Sequence, residues 1–100
     1  MEYMHVITRK TLREFWEHHP DAERPLREWL REMEHGSFLD FTSIRSVWGS
    51  ADYVDGLIVF NIGGNKYRLI VSIPFERGKV YILHVLTHAE YDRNQWKRGT

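Results

Sequence analysis

Four residues in the second half of the chain have side chains suited to work on a phosphodiester: Lys66, Arg68, His88 and Tyr91. Lys66 and Arg68 are two positions apart, the spacing that sets both on one face of a β-strand. A guanidinium offers a planar fork for two phosphate oxygens, and an ammonium adds a point charge. His88 and Tyr91 are one helical turn apart, so on a helix they share a face. An imidazole titrates near neutrality and can give or take a proton. Thr87-His-Ala-Glu90 matches a capping box, which sets His88 in a first helical turn, where the dipole disfavours imidazolium. The Tyr91 ring can stack on a base, or its hydroxyl can orient a phosphate. With an ordinary pKa of about 10 it is a poor base unless cations lower that value. Glu90 is most simply the capping carboxylate, and Asp92 either orients His88 or forms a surface pair.

The elements that must position these groups follow from turn and periodicity signals. Asp55-Gly56 is a two-residue hairpin turn, since both positions need positive φ. Residues 57–62 form a nearly continuous apolar run, expected of a central strand. Gly63-Gly64-Asn65 is the next turn. From Lys66 to Ile73 the pattern alternates: Tyr67, Leu69, Val71 and Ile73 point one way, and Lys66, Arg68, Ile70 and Ser72 the other. Pro74 stops this strand, Glu76-Arg77-Gly78 turns the chain, and residues 79–86 read as the last strand. A final helix starts after Thr87, and Arg93, Lys97 and Arg98 make the tail basic.

Upstream, His5 to Ile7 read as a short first strand. Thr11-Leu-Arg-Glu14 matches a second capping box, after which Leu12, Phe15, Trp16 and His19 fall on one helical face. Pro20 ends that helix, and Asp21 is a candidate cap for the next. There Ala22, Leu26, Trp29, Leu30 and Met33 share a face, Pro25 is tolerable only in the first turn, and Gly36 is the stop. Thr42 or Ser43 is expected to cap one more turn, with Trp48 anchoring the connection to the core. The two amphipathic helices need a sheet to cover, so the class is α+β in a single domain over residues 1–100.

Composition narrows the possibilities. The 100 residues are 42% apolar and 28% charged, the balance of a soluble globular protein. Fourteen basic residues offset fourteen acidic ones, which counts mildly against a nucleic-acid binder, although local fields outweigh the total. The absence of cysteine excludes disulfides and thiolate metal sites. Together with polar, charged first residues in place of a secretory signal and no stretch of membrane-spanning length, it fits a cytoplasmic protein with no membrane partner. His84 and His88 have no third ligand at a suggestive spacing, so no metal is expected. NIGGNK lacks the phosphate-loop pattern and is read as a turn. No cofactor is implied.

Three segments carry a family likeness: ITRKTLREFWEHHPDAERPLREWL, VFNIGGNKYRLIV and VYILHVLTHAEYD. With them the chain resembles the HigB toxins of bacterial toxin–antitoxin pairs, within the RelE superfamily, from about Met4 to Asp92. Leu86 stands where relatives more often carry glycine. The resemblance implies a RelE-like α+β fold, an antiparallel sheet with two N-terminal helices on one face and a short C-terminal helix. It implies a ribonuclease that cuts mRNA, commonly on the ribosome. It also implies a HigA-like antitoxin with a helix-turn-helix domain, the complex of the two binding operator DNA. RNA needs no metal for cleavage, because its own 2′-hydroxyl can attack the adjacent phosphorus given a base, cations and an acid. On this reading Arg68, in the YRL motif, binds phosphate with Lys66, and His88 is an electrophile or proton donor beside Tyr91. The competing reading is a module of the same fold that binds RNA, ribosome or a partner protein without cleaving.

Overall fold

The computed structural model describes residues 4–94 and residue 96. Chain order is β1 (His5–Ile7), α1 (Arg9–His18), a 3₁₀ turn (Pro20–Ala22), α2 (Glu23–His35), α3 (Phe41–Val47), β2 (Asp52–Val54), β3 (Leu57–Ile62), β4 (Tyr67–Ser72), a second 3₁₀ turn (Phe75–Arg77), β5 (Lys79–Thr87) and α4 (His88–Asp92). The five strands form one sheet in the order β1-β5-β4-β3-β2. β2 to β5 make the expected antiparallel meander, and β1 joins β5 in parallel. The fold is therefore α+β and compatible with the RelE-like expectation. Lys97 and Arg98, read as part of a basic tail, lie outside the described residues.

One face of the sheet carries the main core. Ile58, Phe60 and Ile62 of β3, Leu69 and Val71 of β4, and Val80, Ile82 and Val85 of β5 pack under Leu12 of α1 and Leu26, Trp29 and Met33 of α2. The helix faces are those that periodicity assigned, with Phe15, Trp16 and Leu30 only partly buried at the margin. Trp48 does anchor its connection: its ring lies 5.2 Å from Phe60 and 5.5 Å from Phe38. Phe60 in turn meets Trp29 edge-on at 5.4 Å.

The opposite face is smaller. Val59, Ile70 and Trp96 form its buried centre, with Val54, Leu57, Leu86 and Tyr91 packed around them. A bulge decides which β5 residues arrive there. Val71 pairs with Ile82 but Ile70 pairs with His84, so Leu83 is an extra residue in the ladder. Beyond it, His84 and Leu86 join Ile70 and Arg68 on the second face, while Val85 returns to the core.

The hairpin turns match their sequence signals: Asp55 and Gly56 have φ of 52° and 80°, and Gly63 and Gly64 have 64° and 72°. Three caps do not match. Helix α1 starts at Arg9, not after Thr11, and Thr8 precedes it in a left-handed conformation with no side-chain cap. The Thr8 hydroxyl instead sits between two carbonyl oxygens, that of Ile7 and, at 3.2 Å across to β5, that of Ile82. Asp21 does not cap α2, because its carboxylate is engaged elsewhere, and Ala22 holds the cap position. For α3 the cap is Asp40, which forms a reciprocal box with Ser43.

Phe60 is 1% exposed and touches both Trp29 and Trp48. Phe60→Ala is expected to lower unfolding free energy by about 3–5 kcal/mol, measured by urea denaturation followed by tryptophan fluorescence.

Candidate active site

Arg68 lies in the second residue of β4, on the small face, and is only 8% exposed. A buried guanidinium needs acceptors. Its Nη2 donates to Asn65 Oδ1 at 2.7 Å, and its Nη1 to Tyr67 O at 3.2 Å and, more weakly, to Asn65 O at 3.4 Å. Its Cζ lies 5.4 Å from the centre of the Tyr91 ring, within cation–π range.

Tyr91 stands on α4, whose start is fixed twice. Thr87 Oγ1 accepts from Glu90 N and Glu90 Oε1 accepts from Thr87 N, the capping box expected there. The His88 backbone N–H donates to Lys66 O at 3.0 Å, tying the helix to the turn before β4. Trp96 stacks on Tyr91 at 5.3 Å with 15° between planes, and its indole N–H donates to Tyr91 O. The Tyr91 ring is thus engaged by both Arg68 and Trp96, which leaves its hydroxyl as the group to consider. Burial, and then the Asp52 carboxylate, push the phenol above its ordinary value. Arg68 pulls the other way, and Asp92 adds to the upward side. The Tyr91 phenol therefore keeps its proton at neutral pH.

His88 Nδ1 lies 2.9 Å from Asp92 Oδ2 one turn on, a contact between two exposed side chains that fits both roles read for Asp92, orienting the ring and forming a surface pair. The ring is close to half exposed. Arg68 pairs with Leu86 across the ladder, two residues before His88, so arginine, histidine and tyrosine occupy one end of the sheet. The groove alongside, about 260 Å³, is lined by His84, Leu86, Glu90, Arg93 and Trp96.

Lys66 is not gathered with them. It falls in the turn ahead of β4, and its Nζ pairs with Asp21 Oδ2 at 2.8 Å. The same carboxylate accepts from Tyr67 Oη at 2.5 Å, and Tyr67 belongs to the helix-covered face. His19, stacked on Phe15 at 4.2 Å, meets Tyr67 edge-on beside this contact. Strand alternation had set Lys66 beside Arg68. The ammonium is drawn instead to the α1–α2 connection by an acid 45 residues away in sequence. Among the described residues no three His, Asp or Glu side chains gather to hold a metal ion, and no helix is long and apolar enough to cross a membrane.

Residues 22–94 match the family of HigB toxins, described as the RelE-like toxic component of a toxin–antitoxin system. The chain belongs to the HigB toxin family. It is similar to the mRNA interferase toxin HigB of Escherichia coli, with 38% identity over 92 residues, 89% of this chain and 88% of the relative. The mRNA interferase HigB of Shigella flexneri matches to the same extent. Another Escherichia coli mRNA interferase HigB is 27% identical over 93 residues, 90% of each chain.

Three residues at this end of the HigB-family chain escaped sequence reasoning. Asn65 reads as a turn residue, Asp21 as a cap, and Trp96 lies in a tail without periodicity. Only for Asn65 was there a local signal, an amide three residues before a strand arginine.

The Lys66 ammonium and the Tyr67 hydroxyl hold the Asp21 carboxyl below its ordinary value. A depressed carboxylate adds stability above its unfolded pKa, and that stability is lost as pH falls through the folded value. Asp21→Asn is therefore expected to be less stable than wild type at neutral pH. The gap should close as pH drops below the ordinary aspartate range, read from thermal midpoints across an acid series.

Proposed function

We propose that this chain is an mRNA interferase: an endoribonuclease that cuts mRNA without a metal, on the ribosome, and is held in check by a HigA-like helix-turn-helix antitoxin. The protein would act in the cytoplasm, with operator DNA bound only through the antitoxin complex. Family membership supports the toxin role, and the names of the relatives support mRNA as substrate. The observation that carries the site is Arg68: a buried cation with no carboxylate partner among the described residues, set against Tyr91 and the start of α4.

In this reading the 2′-hydroxyl attacks the adjacent phosphorus. In its neutral form, with Nδ1–H given to Asp92, His88 offers the Nε2 lone pair to the 2′ proton. Arg68 donates to the non-bridging oxygens as charge builds on the phosphorane. The P–O5′ bond then breaks, and the departing 5′-oxygen takes the Tyr91 phenolic proton, which the raised pKa keeps in place. The products are a 2′,3′-cyclic phosphate and a 5′-hydroxyl. His88 and Tyr91 are reset through solvent. Lys66 is an anchor for the turn in this scheme, since reaching a phosphate would mean leaving Asp21.

Expression without antitoxin, followed by mapping of mRNA 5′ ends, tests the proposal. New ends bearing 5′-hydroxyls and insensitive to EDTA are expected, both in cells and in a purified translation system, and none on free RNA. Arg68→Ala should slow cleavage about 10²–10³-fold and His88→Ala about 10²–10⁴-fold. Lys66→Ala should change the rate less than either. Ends that persist in both of the first two variants would remove the site, and 5′-phosphate ends lost with EDTA would remove the metal-free chemistry.

A further inference from the structure

Arg68 has five N–H donors, and its surroundings use three. Both Nη1 hydrogens go to backbone oxygens, of Asn65 and Tyr67, and one Nη2 hydrogen goes to Asn65 Oδ1. Among the described residues nothing accepts from Nε. That leaves Nε, and Nη2 with one acceptor for two hydrogens, and these two nitrogens share one edge of the guanidinium. Two parallel N–H groups on one edge match two oxygens of a phosphate.

We infer that Asn65 is a positioning residue for the cleavage reaction, fixing the rotation of the Arg68 guanidinium so that its Nε edge faces the scissile phosphate. The inference rests on the function proposed above. Of the three contacts, Asn65 Oδ1 is the shortest and the only one made by a side chain. The arginine lies within the sheet, so acceptors that would replace it are few. Asn65 is not needed to form the turn. The left-handed φ values there belong to Gly63 and Gly64, and Asn65 is not among the non-glycine residues with positive φ. Its amide oxygen is thus committed to the arginine, and the turn conformation serves to bring it there.

The test combines kinetics with ¹⁵N NMR of the Arg68 guanidinium. Asn65→Ala is expected to lower kcat for cleavage about 10–100-fold with KM nearly unchanged, the penalty of a misdirected donor. In the Arg68→Ala background the same substitution should cost nothing further, because its effect passes through the arginine. The Arg68 Nη signals, distinct in the wild type because rotation about the Nε–Cζ bond is slow, should average in Asn65→Ala. They should stay distinct in Asn65→Asp, which keeps the acceptor oxygen. Unchanged Nη signals in Asn65→Ala, or an equal loss of activity in both backgrounds, would overturn the assignment. If Arg68→Ala itself cleaves like wild type, the proposed function fails at this site, while the NMR result still decides whether Asn65 orients the arginine.

Discussion

A cation buried in a β-sheet, with no carboxylate paired to it among the described residues, is the constraint around which this end of the molecule is built. Taking a guanidinium out of water is costly unless its donors are met, and a paired acid would cancel the charge that makes it useful. Here the acceptors are neutral: an amide oxygen, two backbone carbonyls and the face of a tyrosine ring. Three contacts go to neutral oxygens, and among the described residues no carboxylate forms an ion pair with the guanidinium. A tight turn before β4 and a capped helix after β5 are the two features that bring those acceptors within reach.

The two faces of the sheet divide the work. The helix-covered face holds most of the buried apolar residues, including all three rings of the Trp29–Trp48–Phe60 cluster. The other face has only a small apolar centre, and the candidate chemistry sits at its edge. Asp21 joins the two. From the α1–α2 connection it grips Lys66 and Tyr67, the residues flanking the start of β4, so the helical layer helps to fix the strand that carries Arg68. The Lys66 ammonium is thereby engaged at the α1–α2 connection, while Arg68, Asp52 and Asp92 act together on the Tyr91 phenol.

Much of the architecture was legible because it is written in local patterns. Asp55-Gly56 and Gly63-Gly64 specify their turns, the apolar stripes of both helices specify their buried faces, and Thr87 with Glu90 specifies the start of α4. Arg68 and Tyr91 were legible as site candidates for the same reason, together with the family likeness. What failed was whatever depended on a distant partner. Thr11 and Glu14 have the right spacing for a cap, but the chain enters α1 earlier through a left-handed Thr8 bonded to β5. Asp21 has the right type for a cap, but an ammonium and a phenol from the sheet claim it. Alternation placed Lys66 correctly only if the strand began there, and it begins one residue later. Trp96 carried no local signal, because its burial beside Val59 and Ile70 depends on strands far from it in sequence.

The single extra residue at Leu83 has a consequence for how such a chain can vary. It inverts the in–out sense of β5 halfway along, so that Val80 and Ile82 face the helices and His84 and Leu86 do not. Everything beyond it, up to the histidine that opens α4, inherits that inverted sense. Removing Leu83 itself would restore plain alternation from Ile82 to His84, with Val85 still facing the helices and Leu86 still facing away. The bulge is thus the one place in β5 where a single residue can be gained or lost with both faces kept, and the same change elsewhere in the strand would exchange them from there to the imidazole.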